Sequence, residues 1–177
     1  VGVQLEQQNL DAAVVFGKEG SEFANATPLF AERLTPVCAP AMAQRLRQPA
    51  DLANETLIHL SADHADWRAW LAAAGVSHPD LAAGPSFEVI DMAVNLASQG
   101  RGVAIADPVM IADDLLKGSL CAPFAAVTVA FGHRYWFSCP HGRQAEPALL
   151  AMRDWLEAEI AATLAALATI GLGEQAP

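Results

Sequence analysis

Three cysteines, five histidines and 20 aspartates and glutamates are the groups in this 177-residue chain that could do covalent, metal or acid–base chemistry. Cys38 stands in "RLTPVCAP", at the end of an apolar run and just before a proline that suits a helix start. A catalytic thiol needs a lowered pKa, supplied by a helix N-terminus, an imidazole or another base. No catalytic signature surrounds Cys38, and an unpaired cysteine in an apolar run is ordinarily a packing residue. Cys121 and Cys139 complete an odd, widely spaced set with no C-x-x-C pair. That pattern fits reduced thiols better than a disulfide framework.

The histidines, His59, His64, His78, His133 and His141, form neither H-x-x-x-H nor H-E-x-x-H. No local metal site is expected, although distant residues could still converge. Asp113 with Asp114, and Glu157 with Glu159, fall on faces expected to be solvated, where acid–base work is a poor reading. "GRGVAIAD" contains G-x-G, but these glycines follow a helix and open a strand. A dinucleotide site needs the reverse order. A helix-to-strand turn is the better reading, with Gly100 or Gly102 at positive φ. No cofactor is expected, and nothing here assembles an enzyme. Trp67, Trp70 and Trp155 lie at helical spacing among aliphatics and read as core. Tyr135 is the only tyrosine, and its hydroxyl needs a partner if buried.

These residues must be held by something. The chain is 53% hydrophobic, enough to bury a core as one domain or two small lobes. Its net charge of -10 repels phosphate, so the chain by itself should bind neither nucleic acid nor an anionic membrane. The apolar stretch 160–172 falls short of the ~20 residues of a bilayer span. No secretory signal is visible.

"LDAAVVFG" reads as a buried strand, expected to be parallel. Extended segments follow at 29–30 and 34–38, with Pro36 suggesting an edge or crossing strand. Pro40 opens a helix, a helical turn follows Pro49, and 57–60 reads as a strand. "ADWRAWLAAAGV" places Trp67, Trp70, Leu71 and Ala74 on one face, with Gly75 as the stop. "DMAVNLASQGRG" is a helix with Asp91 as N-cap and Met92, Leu96 and Ala97 on its buried side. "GVAIAD" is a strand, 108–117 a helix ended by Gly118, and "YWFSCP" a strand. "EPALLAMRDWLEAEI" is an amphipathic helix with a stripe of Leu149, Met152, Leu156 and Ile160. Strands alternating with helices imply an α/β fold.

Taken in order, "LDAAVVFG", "ERLTPVCAPAMAQRLRQPADLANETLIHL", "WRAWLAAAG", "GPSFEVIDMAVNLASQGRGVAIADPVMIADDLLKGSLCAPF", "YWFSCP" and "PALLAMRDWLEAEI" resemble the effector-binding domain of LysR-type transcriptional regulators. The branch they are most similar to is that of the glycine-cleavage activator and the β-lactamase regulator. The resemblance implies a type 2 periplasmic-binding-protein-like α/β fold. In it two lobes are joined by two crossing strands, with a small-molecule effector in the cleft. Lobe I would comprise 1–39 and 138–177, lobe II 40–137, and the crossings would fall near 36–40 and 137–140. Cys38 would then belong to a hinge strand. The family's winged helix-turn-helix, and the strand, helix and strand that normally open its regulatory domain, have no counterpart here. The first lobe is therefore expected to be incomplete. The resemblance further implies a non-enzymatic, cytoplasmic domain that forms homo-oligomers, a dimer or the tetramer of the intact regulator. DNA would be reached only through the N-terminal domain, with no membrane partner. A solute-binding protein of a transport system is the alternative.

In α/β lobes, ligands gather at strand C-terminal ends and helix N-termini. That rule selects Phe16 and Gly17, the run from His59 to Ser61, the run Val89, Ile90 and Asp91, and Asp107. Tyr135 joins them by resemblance. The charged members are Asp91 and Asp107, with no Lys or Arg, so a neutral or amine-bearing metabolite is expected over a dicarboxylate. The simpler reading is that Asp91 caps a helix and Asp107 begins a turn.

Overall fold

A computed structural model describes residues 5, 9–18, 20 and 26–173. The chain divides into two compact units, residues 1–32 with 130–165, and residues 33–129 with 166–177.

The first unit is built on three antiparallel strands in the order β1-β5-β2: β1 (Ala13–Lys18), β2 (Thr27–Ala31) and β5 (His133–Ser138). The expectation of a parallel strand at 10–17 is corrected: β1 runs antiparallel to β5, with Phe16 opposite Tyr135 and Val14 opposite Phe137. A short apolar run signals burial but carries no information on partner direction. Here, moreover, burial alternates, with Val14 and Phe16 about half exposed. Helix α5 (Pro147–Thr169) continues nine residues past the predicted end, because the apolar stretch after Ile160 has no helix breaker before Gly171. Leu149 is buried on it, but Met152 and Trp155 are exposed, against the expectation of a buried stripe and a core tryptophan.

The second unit has a different construction. Strands β3 (Thr35–Val37) and β4 (Ala104–Ala106) pair antiparallel, with Pro36 opposite Ile105. The 57–60 run forms only isolated bridges, Leu57 with Val103 and His59 with Ser86, both parallel. Side chains alternate across this sheet with period two. Val37, Ile58, Ala104 and Ala106 point to one apolar cluster, and Cys38, Leu57, Val103 and Ile105 to another. Helices α3 (Ile90–Ser98) and α4 (Ala112–Lys117) contribute to the first cluster, through Ala93, Val94, Ala97, Ala112 and Leu115. Helix α1 (Pro40–Ala43), the 3-10 turn Pro49–Asn54 and helix α2 (Ala65–Ala73) contribute to the second. The sheet is thus buried on both sides.

Trp67 and Trp70 are fully buried, as the helical spacing predicts, and each indole N–H has an acceptor. Trp67 donates to the Ile58 carbonyl at 2.9 Å and Trp70 to that of Val127 at 2.9 Å. The G-x-G turn is explained by two different constraints. Gly100 takes φ +73°, whereas a Cβ on Gly102 would lie 2.6 Å from the Thr56 carbonyl oxygen. Gly102 is there for close strand approach, not for positive φ. Helix α3 buries Ala93, Val94 and Ala97, and Met92 is 58% exposed, which rotates the buried face from the one expected. Helix α4 begins at Ala112, four residues later than expected, because 108–110 is spent on a turn held by Asp107.

Candidate functional site

In the second unit, backbone pairing builds one end of the sheet. The Phe87 N–H donates to the His59 carbonyl at 2.9 Å, and the His59 N–H to that of Pro85 at 3.0 Å. The chain after Phe87 then leads within three residues into α3. Candidates His59 and Ser61 are thus tied to the segment that delivers Val89, Ile90 and Asp91. Val89, not Asp91, is the N-cap of α3, so the expected capping role of Asp91 is corrected: it lies exposed in the first turn. Val89 has no oxygen to offer the helix end, and no side-chain cap is present there. Of the first-turn N–H groups, that of Met92 donates to the Val89 carbonyl at 3.2 Å, and no capping side chain serves those of Ile90 and Asp91.

His59 is fully buried. Its Nε2 lies 3.3 Å from the Ala83 carbonyl oxygen, which can only accept, so Nε2 carries the proton and Nδ1 presents a lone pair. That Nδ1 is buried and has no hydrogen-bond partner, and the same is true of Nδ1 of His64. The two rings stand 4.1 Å apart, centre to centre. Desolvation first, and then the neighbouring His64, holds the His59 pKa below the ordinary imidazole range. His64 sits in the left-handed region at φ 53°, immediately before α2, where a non-glycine residue carries backbone strain. The Ser61 hydroxyl oxygen is likewise buried with no hydrogen-bond partner.

Asp107 is buried, and both its carboxylate oxygens are used. Oδ2 accepts from the Arg33 N–H at 2.8 Å and Oδ1 from the Val109 N–H at 2.9 Å. It organises a turn, the simpler of its two expected roles.

In the first unit, the register of β1 and β5 sets Phe16 beside Tyr135, ring centres 4.9 Å apart, and Phe30 of β2 stacks on Tyr135 at 4.5 Å. His133 stacks on Phe16 at 4.9 Å, and its Nδ1 lies 3.4 Å from Glu32. Gly17 accepts the Trp136 indole N–H at 3.0 Å through its carbonyl.

Sequence reasoning missed His64, His133, Phe30 and the partner of Cys38. His64 follows His59 across the turn "HLSADH", a spacing no metal or catalytic pattern flags. Phe30 and His133 become visible only through strand register. Cys38 is fully buried, as its context predicts, but it pairs directly with Cys121, 83 residues away. Among the described residues, no three His, Cys, Asp or Glu side chains form a metal-binding group. A cavity of about 270 Å³ in the second unit is lined by Thr56, His78, Asp80 and Gly84, and one of about 280 Å³ in the first by Asp11, Pro140 and Arg143. No candidate residue lines either.

Comparison with known proteins gives a consistent result. Residues 3–161 match the LysR substrate binding domain. The HTH-type transcriptional activator AmpR of Rhodobacter capsulatus is 36% identical over 159 residues, covering 90% of this chain and 54% of that protein. The glycine cleavage system transcriptional activator of Escherichia coli K12 is 34% identical over 158 residues, covering 87% and 51%. The chain therefore spans about half the length of the curated relatives it matches. The crystal structure of the effector domain of AmpR from Pseudomonas aeruginosa superposes with a TM-score of 0.73 at 34% identity, over 90% of this chain and 76% of that one.

Proposed function

This chain belongs to the LysR substrate-binding domain family, with that family's type 2 periplasmic-binding-protein-like α/β fold, and from that premise we propose that it senses a small-molecule effector for a transcriptional regulator. The relatives named above are transcriptional activators, which speaks for a regulatory rather than a catalytic or transport role. In this reading the chain acts in the cytoplasm as a homo-oligomer, and DNA is gripped by a separate helix-turn-helix domain. The effector favours one conformation and so shifts the regulator's population on DNA.

The observation that carries the chemical class of the effector is the buried acceptor His59 Nδ1, which lacks a donor. A buried polar atom without a partner costs about 1–3 kcal/mol, and a ligand donor would recover it. Asp91, exposed at the start of α3, adds a negative charge within the same end of the unit. A donor-rich, neutral or amine-bearing metabolite suits both, and a carbonyl oxygen on it would suit the first-turn N–H groups of α3. Ser61, Val89 and Ile90 supply further lining in this reading, while Asp107 shapes the turn. In the first unit Phe30, stacked on Tyr135, and Phe16, tilted against it, offer an aromatic cluster beside the Gly17 backbone.

The test is a thermal-shift panel of amino acids, amines and dicarboxylates on this chain and on the intact regulator. Amine-bearing or neutral compounds should raise the melting temperature, less so in Asp91→Asn, and Tyr135→Phe should weaken the response. Stabilisation by dicarboxylates alone, undiminished in Asp91→Asn, contradicts the proposed effector class.

A further inference from the structure

We propose that Cys38 and Cys121 are a thiol-oxidation site that closes reversibly into a cross-strand disulfide. The two residues are direct antiparallel partners that exchange both backbone hydrogen bonds, Cys38 N–H to the Cys121 carbonyl at 3.0 Å and the return bond at 2.9 Å. Cα atoms of such a reciprocal pair stand about 5.5 Å apart, inside the roughly 4.4–6.8 Å over which a disulfide can bridge. The side chains meet as well. The Cys121 thiol donates to the Cys38 carbonyl at 3.4 Å, so its sulfur lies against its strand partner. A pair at that spacing is within the range that rotation of the two side chains can bridge.

The two thiols are not equivalent. Cys38 is fully buried, whereas Cys121 is partly exposed. The hydrogen bond from Cys38 holds the Cys121 thiol below its usual pKa, and the same contact together with burial pushes Cys38 up. By exposure, Cys121 is the thiol an oxidant reaches, and Cys38 the residue that resolves. With a low-molecular-weight disulfide RSSR, the Cys121 thiolate attacks one sulfur, the R–S–S–R bond breaks and RS⁻ leaves. Cys38 then loses its proton to the departing thiolate, and its sulfur attacks Cys121 Sγ. The Cys121–SR bond breaks and the second RS⁻ leaves. Two protein thiols are oxidised by two electrons and RSSR is reduced to two RSH. The new bond would fasten the end of β3 to the 121 segment and close a loop spanning 83 residues. A disulfide of this kind in a reducing compartment is transient and regulatory, not structural.

The experiment uses the full chain, first reduced and then exposed to oxidised glutathione, alkylated and digested with trypsin. Cleavage leaves each cysteine alone on its peptide, 34–45, 118–134 and 135–143. The expected product is 34–45 joined to 118–134, at least about tenfold above any linkage to 135–143, because Cys38 and Cys121 are direct strand partners. The melting temperature should rise by roughly 5–10 °C on oxidation and return with a small thiol. Cys38→Ser should trap glutathione on Cys121, whereas Cys121→Ser should leave Cys38 unmodified. Cys139→Ser should cross-link as before, which keeps the test valid if the other variants fold poorly. Oxidation that stops at a glutathione adduct on Cys121 in the folded parent, or cross-links distributed equally over Cys139, overturns the proposal.

Discussion

The two units differ in how they are filled. Among the described residues, the first unit buries few large apolar side chains, namely Leu5, Trp136, Phe137 and Leu149. The second buries Trp67, Trp70, Leu52, Leu57, Ile58, Ile105 and Leu120 completely, in two clusters on opposite sides of its sheet. Its strands are very short, yet helices cover them on both faces. The strands of the first unit are longer, but alternate residues of β1 remain half exposed. Stability follows the burial, not the length of the strands. The second unit is therefore expected to be the more stable scaffold. The first presents an aromatic cluster of Phe16, Phe30 and Tyr135.

The largest effect should come from opening the scaffold. Trp67→Ala removes a fully buried indole and its bond to the Ile58 carbonyl, and should cost about 3–5 kcal/mol in a urea melt. A loss below 1 kcal/mol would mean that the second unit is not the dense half.

A smaller effect should follow pH. The folded pKa of His59 lies below its unfolded value, so the unfolded chain binds the proton first as pH falls. The stabilisation is fully present above the unfolded pKa of about 6.5. It is lost progressively from there down to the lowered folded pKa, by at most about 1.4 kcal/mol per pH unit. Denaturant midpoints measured between pH 7.5 and 5 should trace this decline, and His59→Gln should remove that part of the slope. An unchanged slope in the variant would assign the pH dependence elsewhere.

The smallest effect belongs to the first unit. Phe16→Ala, at a position 47% exposed, should cost less than about 1 kcal/mol, while weakening any ligand that stacks on the aromatic surface. Equal losses for Phe16→Ala and Trp67→Ala in the same melt would erase the contrast between the units.

Much of this was legible in the sequence where local chemistry decides. Helical spacing of Trp67, Trp70 and Leu71 located α2 and its buried face, and Gly118, at φ +75°, marked the end of α4. Illegible were features that depend on partners distant in sequence. Nothing in "LDAAVVFG" tells that its neighbour is β5 and antiparallel. Asp91 looked like a cap because Asp favours that position, but the turn after Phe87 leaves Val89 there. The expected site residues are gathered into two groups, Phe16 with Tyr135, and His59 with the segment leading to Val89. The tautomer of His59, which leaves its Nδ1 without a partner, depends on Ala83, which no pattern around His59 announces.

Hydrogen–deuterium exchange on the whole chain, free and with the amine that stabilises it most, tests the scaffold account most directly. The amides of Ile58 and Val103, bonded to the carbonyls of Val103 and Thr56, should exchange slowest, and those of β1 and β2 distinctly faster. Ligand should slow exchange at 59–64 and 86–92 and leave 78–84 unchanged. Strands of both units exchanging equally slowly in the free chain, or a ligand that leaves 59–64 and 86–92 untouched, would contradict it.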